Sequence, residues 1–74
     1  MEEKLLAVIN LLRAHKEHPA VPVLDPAARL RQDLGFDSFD LAELTVRLEE
    51  VSGVDVFADG LVHTVGEVLG RLSR

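Results

Sequence analysis

Residues 33–51 read DLGFDSFDLAELTVRLEEV, and this stretch decides the fold. From Ser38 onward it has the spacing of an amphipathic helix. On a wheel of about 100° per residue, Leu41, Leu44, Leu48 and Val51 fall in one sector, with Thr45 at its edge. That sector is the expected core face. The helix is predicted over about Ser38–Val51, and Gly53 follows as a stop signal. Asp37 or Ser38 is expected to cap its start. Gly35 supplies a residue free to take unusual backbone angles just ahead.

The opposite sector holds Phe39, Glu43, Val46 and Glu50. Two apolar side chains seven residues apart share that side and are bracketed by glutamates. Isolated exposed apolar residues are ordinary. The alternative is a docking strip, in which apolar contact gives affinity and the glutamates orient a basic partner. The charge distribution adds to this. Residues 33–50 contain six acids (Asp33, Asp37, Asp40, Glu43, Glu49 and Glu50) against one base, Arg47, and the rest of the chain has seven of each. The whole net charge of −5 therefore lies in that segment. An acidic balance of this kind argues against nucleic acid as a partner.

Working outward, Leu5, Val8, Ile9 and Leu12 follow the i, i+3, i+4, i+7 pattern of a buried stripe, so residues 2–16 are predicted as a first helix. Glu2 and Glu3 in its first turn and Lys16 near its end suit the helix dipole. Pro19 and Pro22 prevent easy continuation. Residues 17–37 then form a long connection, with Leu24, Leu30 and Leu34 expected to pin it to the core. Asp25-Pro26 suggests a short turn of helix at 26–31. Beyond Gly53, a short helical turn is expected at 58–62. The last helix opens on the capping box Thr64-x-x-Glu67 and continues with Val65, Val68, Leu69 and Leu72 as its apolar stripe, with Arg71 and Arg74 at its C-terminal end. The expected fold is all-α: a small four-helix bundle of three main helices plus one short one, with a long first loop, in a single domain over 1–74.

With 74 residues and 47% hydrophobic content, the chain can build a core from aliphatics, while its three aromatics are all Phe. It contains no cysteine, so it has neither a disulfide nor a thiol nucleophile of its own. No apolar run approaches the ~20 residues of a membrane span. The opening MEEKLLAVINLL has acids where a signal peptide has bases, so a soluble cytoplasmic monomer is expected, with no membrane partner. Catalytic constellations are poor. His15, His18 and His63 lack zinc-site spacing, phosphate-binding glycine motifs are missing, and a lone serine without a base is not a hydrolase nucleophile. The chain is not expected to be an enzyme.

There remains DLGFDSFD, residues 33–40. A phosphate attached to Ser38 would meet the positive end of the helix dipole and the unpaired N–H groups of the first turn. A plain N-cap is the ordinary role of such a residue. Leu34-Gly35-Phe36-Asp37-Ser38-Phe39, followed by an acidic amphipathic helix, resembles the signature of the acyl carrier protein family, usually Leu-Gly-x-Asp-Ser-Leu. The resemblance covers the whole chain, including Thr64–Val68 at the start of the last helix. Phe39 in place of Leu, and Arg47 on the acidic helix, depart from the pattern.

The resemblance implies an acyl-carrier-like bundle in which a phosphopantetheinyl transferase moves 4′-phosphopantetheine from coenzyme A onto Ser38. Asp37 would position the serine. The arm's terminal thiol would then hold acyl groups as thioesters. Phe39, Asp40, Glu43, Val46, Glu49 and Glu50 would contact partners: an acyltransferase or an acyl or aminoacyl ligase, a ketosynthase, and tailoring enzymes. Leu44, Leu48, Val56, Leu61 and Val65 would be candidate linings for a tucked acyl chain, with plain core as their default role. The departures point to polyketide or other specialised metabolism rather than housekeeping fatty acid synthesis. A peptidyl carrier, and an unmodified carrier-like interaction module, are the alternatives.

Overall fold

The structure is a computed structural model and describes residues 2–58 and 60–73. The described residues form three helices in the order α1 (Glu2–His15), α2 (Ser38–Ser52) and α3 (Val65–Leu72). The first helix ends one residue before the predicted limit. Its last turn closes with His18 N–H donating to Arg13 O (2.9 Å) and Glu17 N–H donating to Ala14 O (3.0 Å). This is a Schellman closure, in which the residue after the cap takes a left-handed conformation. Here that residue is Glu17, at φ 62°.

The long connection after α1 is anchored at both ends. Asn10 binds Val21 twice, its Nδ2 donating to Val21 O at 3.0 Å and its Oδ1 accepting from Val21 N–H at 2.8 Å. Further on, Leu30 N–H donates to His63 O at 2.8 Å and Val65 N–H to Ala28 O at 3.0 Å, around an antiparallel bridge between Arg29 and Thr64. Gly66 N–H donates to Pro26 O at 2.9 Å, and the chains approach so closely there that a Cβ on Gly66 would lie 3.0 Å from that oxygen. These bonds explain why the expected helical turn at 26–31 does not form. The Leu30 N–H and the Pro26 and Ala28 carbonyls that a helix would use are engaged across the loop, and only isolated turns remain, among them the one where Asp25 Oδ1 accepts from Ala27 N–H.

The short helix expected at 58–62 is likewise absent among the described residues, and position 59 within it lies outside them. Asp55 Oδ1 accepts from Phe57 N–H at 3.0 Å, and Ala58 N–H and Gly60 N–H each reach back three residues. An Asp that bonds its own backbone two residues on competes with helix in this way. Arg71 of α3 holds the segment, its Nη1 donating to Val56 O and Gly60 O, each at 2.9 Å. Arg74, expected to aid the end of α3, lies outside the described residues.

Leu5, Ile9 and Leu12 of α1 meet Leu44 and Leu48 of α2 and Val65 and Val68 of α3 in one core, closed by Leu30, Leu34, Phe36, Val56 and Val62 from the connections. Leu24 only packs against its margin. Val51 is 41% exposed, against expectation, because it lies at the edge of the apolar sector where α2 runs out at Gly53. The radius of gyration, 11.0 Å, equals the ~11 Å of a folded chain of this length, so the long loops lie against the helices. No described helix is long and apolar enough to cross a membrane.

Candidate functional site

Helix α2 begins with a reciprocal cap. Asp37 is the N-cap, its Oδ1 accepting from Asp40 N–H at 2.9 Å, while Asp40 Oδ2 accepts from Asp37 N–H at 2.9 Å. Ser38 therefore takes the first helical position and is exposed. The N–H groups of Ser38 and Phe39 have no helical carbonyl before them, which leaves positive potential beside the hydroxyl.

Two cations at the end of α1 fix the approach to this cap. Arg13 Nη1 donates to Leu34 O at 2.6 Å and its Nε to Pro19 O at 2.9 Å. Lys16 Nζ donates to Gly35 O at 3.0 Å and to Asp40 Oδ2 at 2.6 Å, and lies 3.6 Å from Asp37 Oδ2. Leu34 and Phe36 on either side of Gly35 are buried, and Gly35 itself turns at φ 77°, which a side chain would strain. The loop is thus pinned from below by apolar anchors and from the side by α1. The Asp40 hydrogen bond holds the Lys16 ammonium above its ordinary value. The Asp40 backbone N–H, aided by the Lys16 charge, holds the Asp37 carboxyl below the usual carboxylate range.

A third cation reaches the serine itself. Arg31 Nη2 donates to Ser38 Oγ at 2.8 Å. A hydroxyl has two acceptor sites and one donor, so this bond leaves the hydroxyl proton available. Between α2 and the 55–61 segment, a groove of about 400 Å³ opens directly from Ser38, lined by Leu41, Ala42, Thr45, Phe57 and Leu61 with Arg31 and Asp55 at its polar end.

The chain's other serines have a different setting. Ser52 Oγ donates to Leu48 O and Ser73 Oγ to Leu69 O, both at helix C-termini, where the dipole disfavours an anion. Ser38 alone combines exposure, a helix start, a cation and an adjoining groove.

The phosphopantetheine attachment site family matches the chain over residues 7–72. The chain belongs to this family. No curated protein and no solved structure matches it. Its cofactor is accordingly 4′-phosphopantetheine, bound covalently, and the surroundings of Ser38 fit that group: a reachable hydroxyl, a cation for the phosphate, and an apolar-sided groove for an extended arm. The thiol that this carrier domain lacks in its own sequence is then supplied by the arm.

The remaining expected site residues divide into three groups. Phe39 is 76% and Val46 57% exposed, and Glu49 and Glu50 are exposed beside them. Glu43 is tied to Arg47, whose Nε donates to its Oε2 at 2.9 Å. Asp40 does not face outward: at 8% exposure it is part of the cap and the Lys16 bond. Of the proposed acyl linings, Leu44, Leu48, Val56 and Val65 are closed core, and only Leu61, 72% exposed, faces the groove. Arg13, Lys16 and Arg31 escaped the sequence reading, since only Lys16 had a signal there, and that signal was attributed to the helix dipole.

Proposed function

We propose that this domain is an acyl carrier whose attachment point is Ser38. A transferase would place the phosphoryl end of the arm on Ser38 Oγ. The serine proton would pass to a base of that enzyme, and the nucleotide part of coenzyme A would depart. The domain itself catalyses no step and presents the acyl thioester to a sequence of enzymes: an acyltransferase or ligase, a ketosynthase, and tailoring enzymes. The observation that carries this is the exposed Ser38 hydroxyl at the first position of α2, facing Arg31 and the head of the groove.

Partners read the outward face of α2 through Phe39, Val46, Glu49 and Glu50, with Glu43 partly neutralised by Arg47. A small contact of this kind releases quickly, as a shuttle requires. The reduced charge at Glu43 and the large apolar Phe39 favour specialised metabolism, polyketide assembly in particular, over a fatty acid system that relies on strongly basic partners. Asp37 orients the serine through the cap.

The test is to incubate the protein with coenzyme A and a broad-specificity transferase, with Ser38→Ala as control, and to record intact mass. The native protein gains one phosphopantetheine and the variant none. No gain on the native protein would favour an unmodified interaction module. Loading with malonyl, other acyl and aminoacyl donors then separates acyl from peptidyl carriers.

A further inference from the structure

We infer that Arg31 is the phosphate-binding residue of the loaded domain and sets the side of α2 on which the arm lies. This rests on Ser38 being the attachment point. Four cations approach the start of α2 or its loop, and the structure gives three of them other work. Arg13 is engaged by the carbonyls of Pro19 and Leu34, and Lys16 by Gly35 O and the Asp40 carboxylate. Arg29, also in the loop, pairs with Asp33 at 3.1 Å. Arg31 differs from all of these. Among the described residues it has no carboxylate partner, although it lies just ahead of the acidic segment, and its Nη2 donates to a neutral hydroxyl.

A guanidinium carries five donors in a planar fork that matches two phosphate oxygens at once. A phosphodiester on Ser38 Oγ puts its two free oxygens two bonds beyond the atom that Arg31 already holds. The exchange is favourable in kind, because a charge-assisted pair replaces a bond to a neutral oxygen. It also answers a local problem. The new negative charge enters beside Asp37, whose own charge Lys16 already faces, and the dipole of α2 offsets part of the new one.

The position of Arg31 has a directional consequence. Ser38, Leu41, Ala42 and Thr45 share one side of α2 and line the groove with Arg31. Phe39, Val46 and Glu50 lie roughly a third of a turn away around the helix. A phosphate held by Arg31 therefore starts the arm along the groove towards Phe57 and Leu61 and leaves the outward strip uncovered for partners.

The test uses the loaded domain, with mass confirming the arm on Ser38, and reads phosphorus and arginine resonances rather than turnover. In the native protein, loading should shift the Arg31 Nε–H signal. The phosphodiester signal should also move between 0.01 M and 1 M salt, as the Debye length falls from about 30 to 3 Å. In Arg31→Gln the salt-dependent shift should be lost, and the loading-induced shifts of Phe57 and Leu61 amides should shrink. Lys4→Gln, which removes an equal charge from the exposed side of α1, should behave as native. A phosphorus signal identical in native and Arg31→Gln protein, or an Arg31 signal unmoved by loading, overturns the inference while leaving Ser38 as attachment point. Absence of the arm from Ser38 overturns both.

Discussion

Lys16 Nζ lies 2.6 Å from Asp40 Oδ2, so the end of α1 grips the first turn of α2 across 24 residues of sequence. The same Oδ2 accepts the Asp37 backbone N–H, and the same ammonium binds Gly35 O. One ion pair thus holds the loop, the cap and the helix start together, and with them the direction of the Ser38 side chain.

Replacing Lys16 by Met keeps the aliphatic stem and removes the ammonium. Asp40 is then left nearly enclosed without its counter-charge, a costly arrangement. The urea midpoint should fall, and hydrogen exchange should accelerate at residues 35–40 more than in α3. Uniform exchange throughout, with an unchanged midpoint, would mean that the pair does not hold the loop.

Acid should weaken the same end of α2. The Asp40 backbone N–H and the Lys16 charge lower the Asp37 carboxyl, and Arg29 lowers that of Asp33. The folded carboxyls are more acidic than the unfolded ones. Their contribution is therefore complete above the unfolded value near 4 and is lost as pH falls through the depressed folded values. Lys16 has the opposite sign: its raised value keeps its contribution intact below about 10.4 and loses it as pH rises through the folded value. Asp37→Asn keeps a good cap without a titrating group. Its melting temperature should fall less steeply than that of the native protein below pH 4, and parallel curves would contradict the assignment.

Glu17 occupies a left-handed position that suits glycine, at φ 62°. A side chain there costs about 1–2 kcal/mol, part of which glycine would lose again to chain entropy. Glu17→Gly should raise stability by about 0.5–1 kcal/mol, or about 2–8 °C in melting temperature for a domain of this size. Scanning calorimetry reads this directly, and a lower transition would show that Glu17 contributes something that its backbone conformation does not reveal.

Arg47 neutralises Glu43 on the face we assign to partners. Arg47→Gln should free that carboxylate, strengthen cross-linking to a basic synthase and steepen its salt dependence. An exposed pair is worth about 0.2–1 kcal/mol, so the gain should lie between about 1.4- and 5-fold. Phe39→Ala should weaken the same cross-link without lowering the melting temperature. Indifference to both changes would move the interface off this face.

What could be read in the sequence was local. The stripes Leu5–Ile9–Leu12 and Leu44–Leu48, a cap at Asp37 or Ser38 and the Thr64 start of α3 all depend on residues a turn or two apart, and each is found in the structure, with Asp37 as the cap. The cap at Thr64 is nevertheless one-sided, since Glu67 Oε1 accepts from His63 N–H rather than from the cap's own. What escaped depends on distance along the chain. Arg13, Lys16 and Arg31 reach their partners across 21, 24 and 7 residues, and periodicity does not encode such contacts. Asp40, expected among the partner-contacting acids, is instead held at the cap by Lys16, just past the end of α1. The expected turns at 26–31 and 58–62 are replaced for related reasons: the backbone of the first is bonded across the loop, and Asp25 and Asp55 each accept from an N–H two residues on.

The most direct test of the account is the location of the arm. After transfer from coenzyme A, the native protein should be digested and its peptides fragmented in the mass spectrometer. The account predicts one phosphopantetheine, on Ser38, and none on Ser52 or Ser73. A group on either of those serines, or none anywhere, would contradict it.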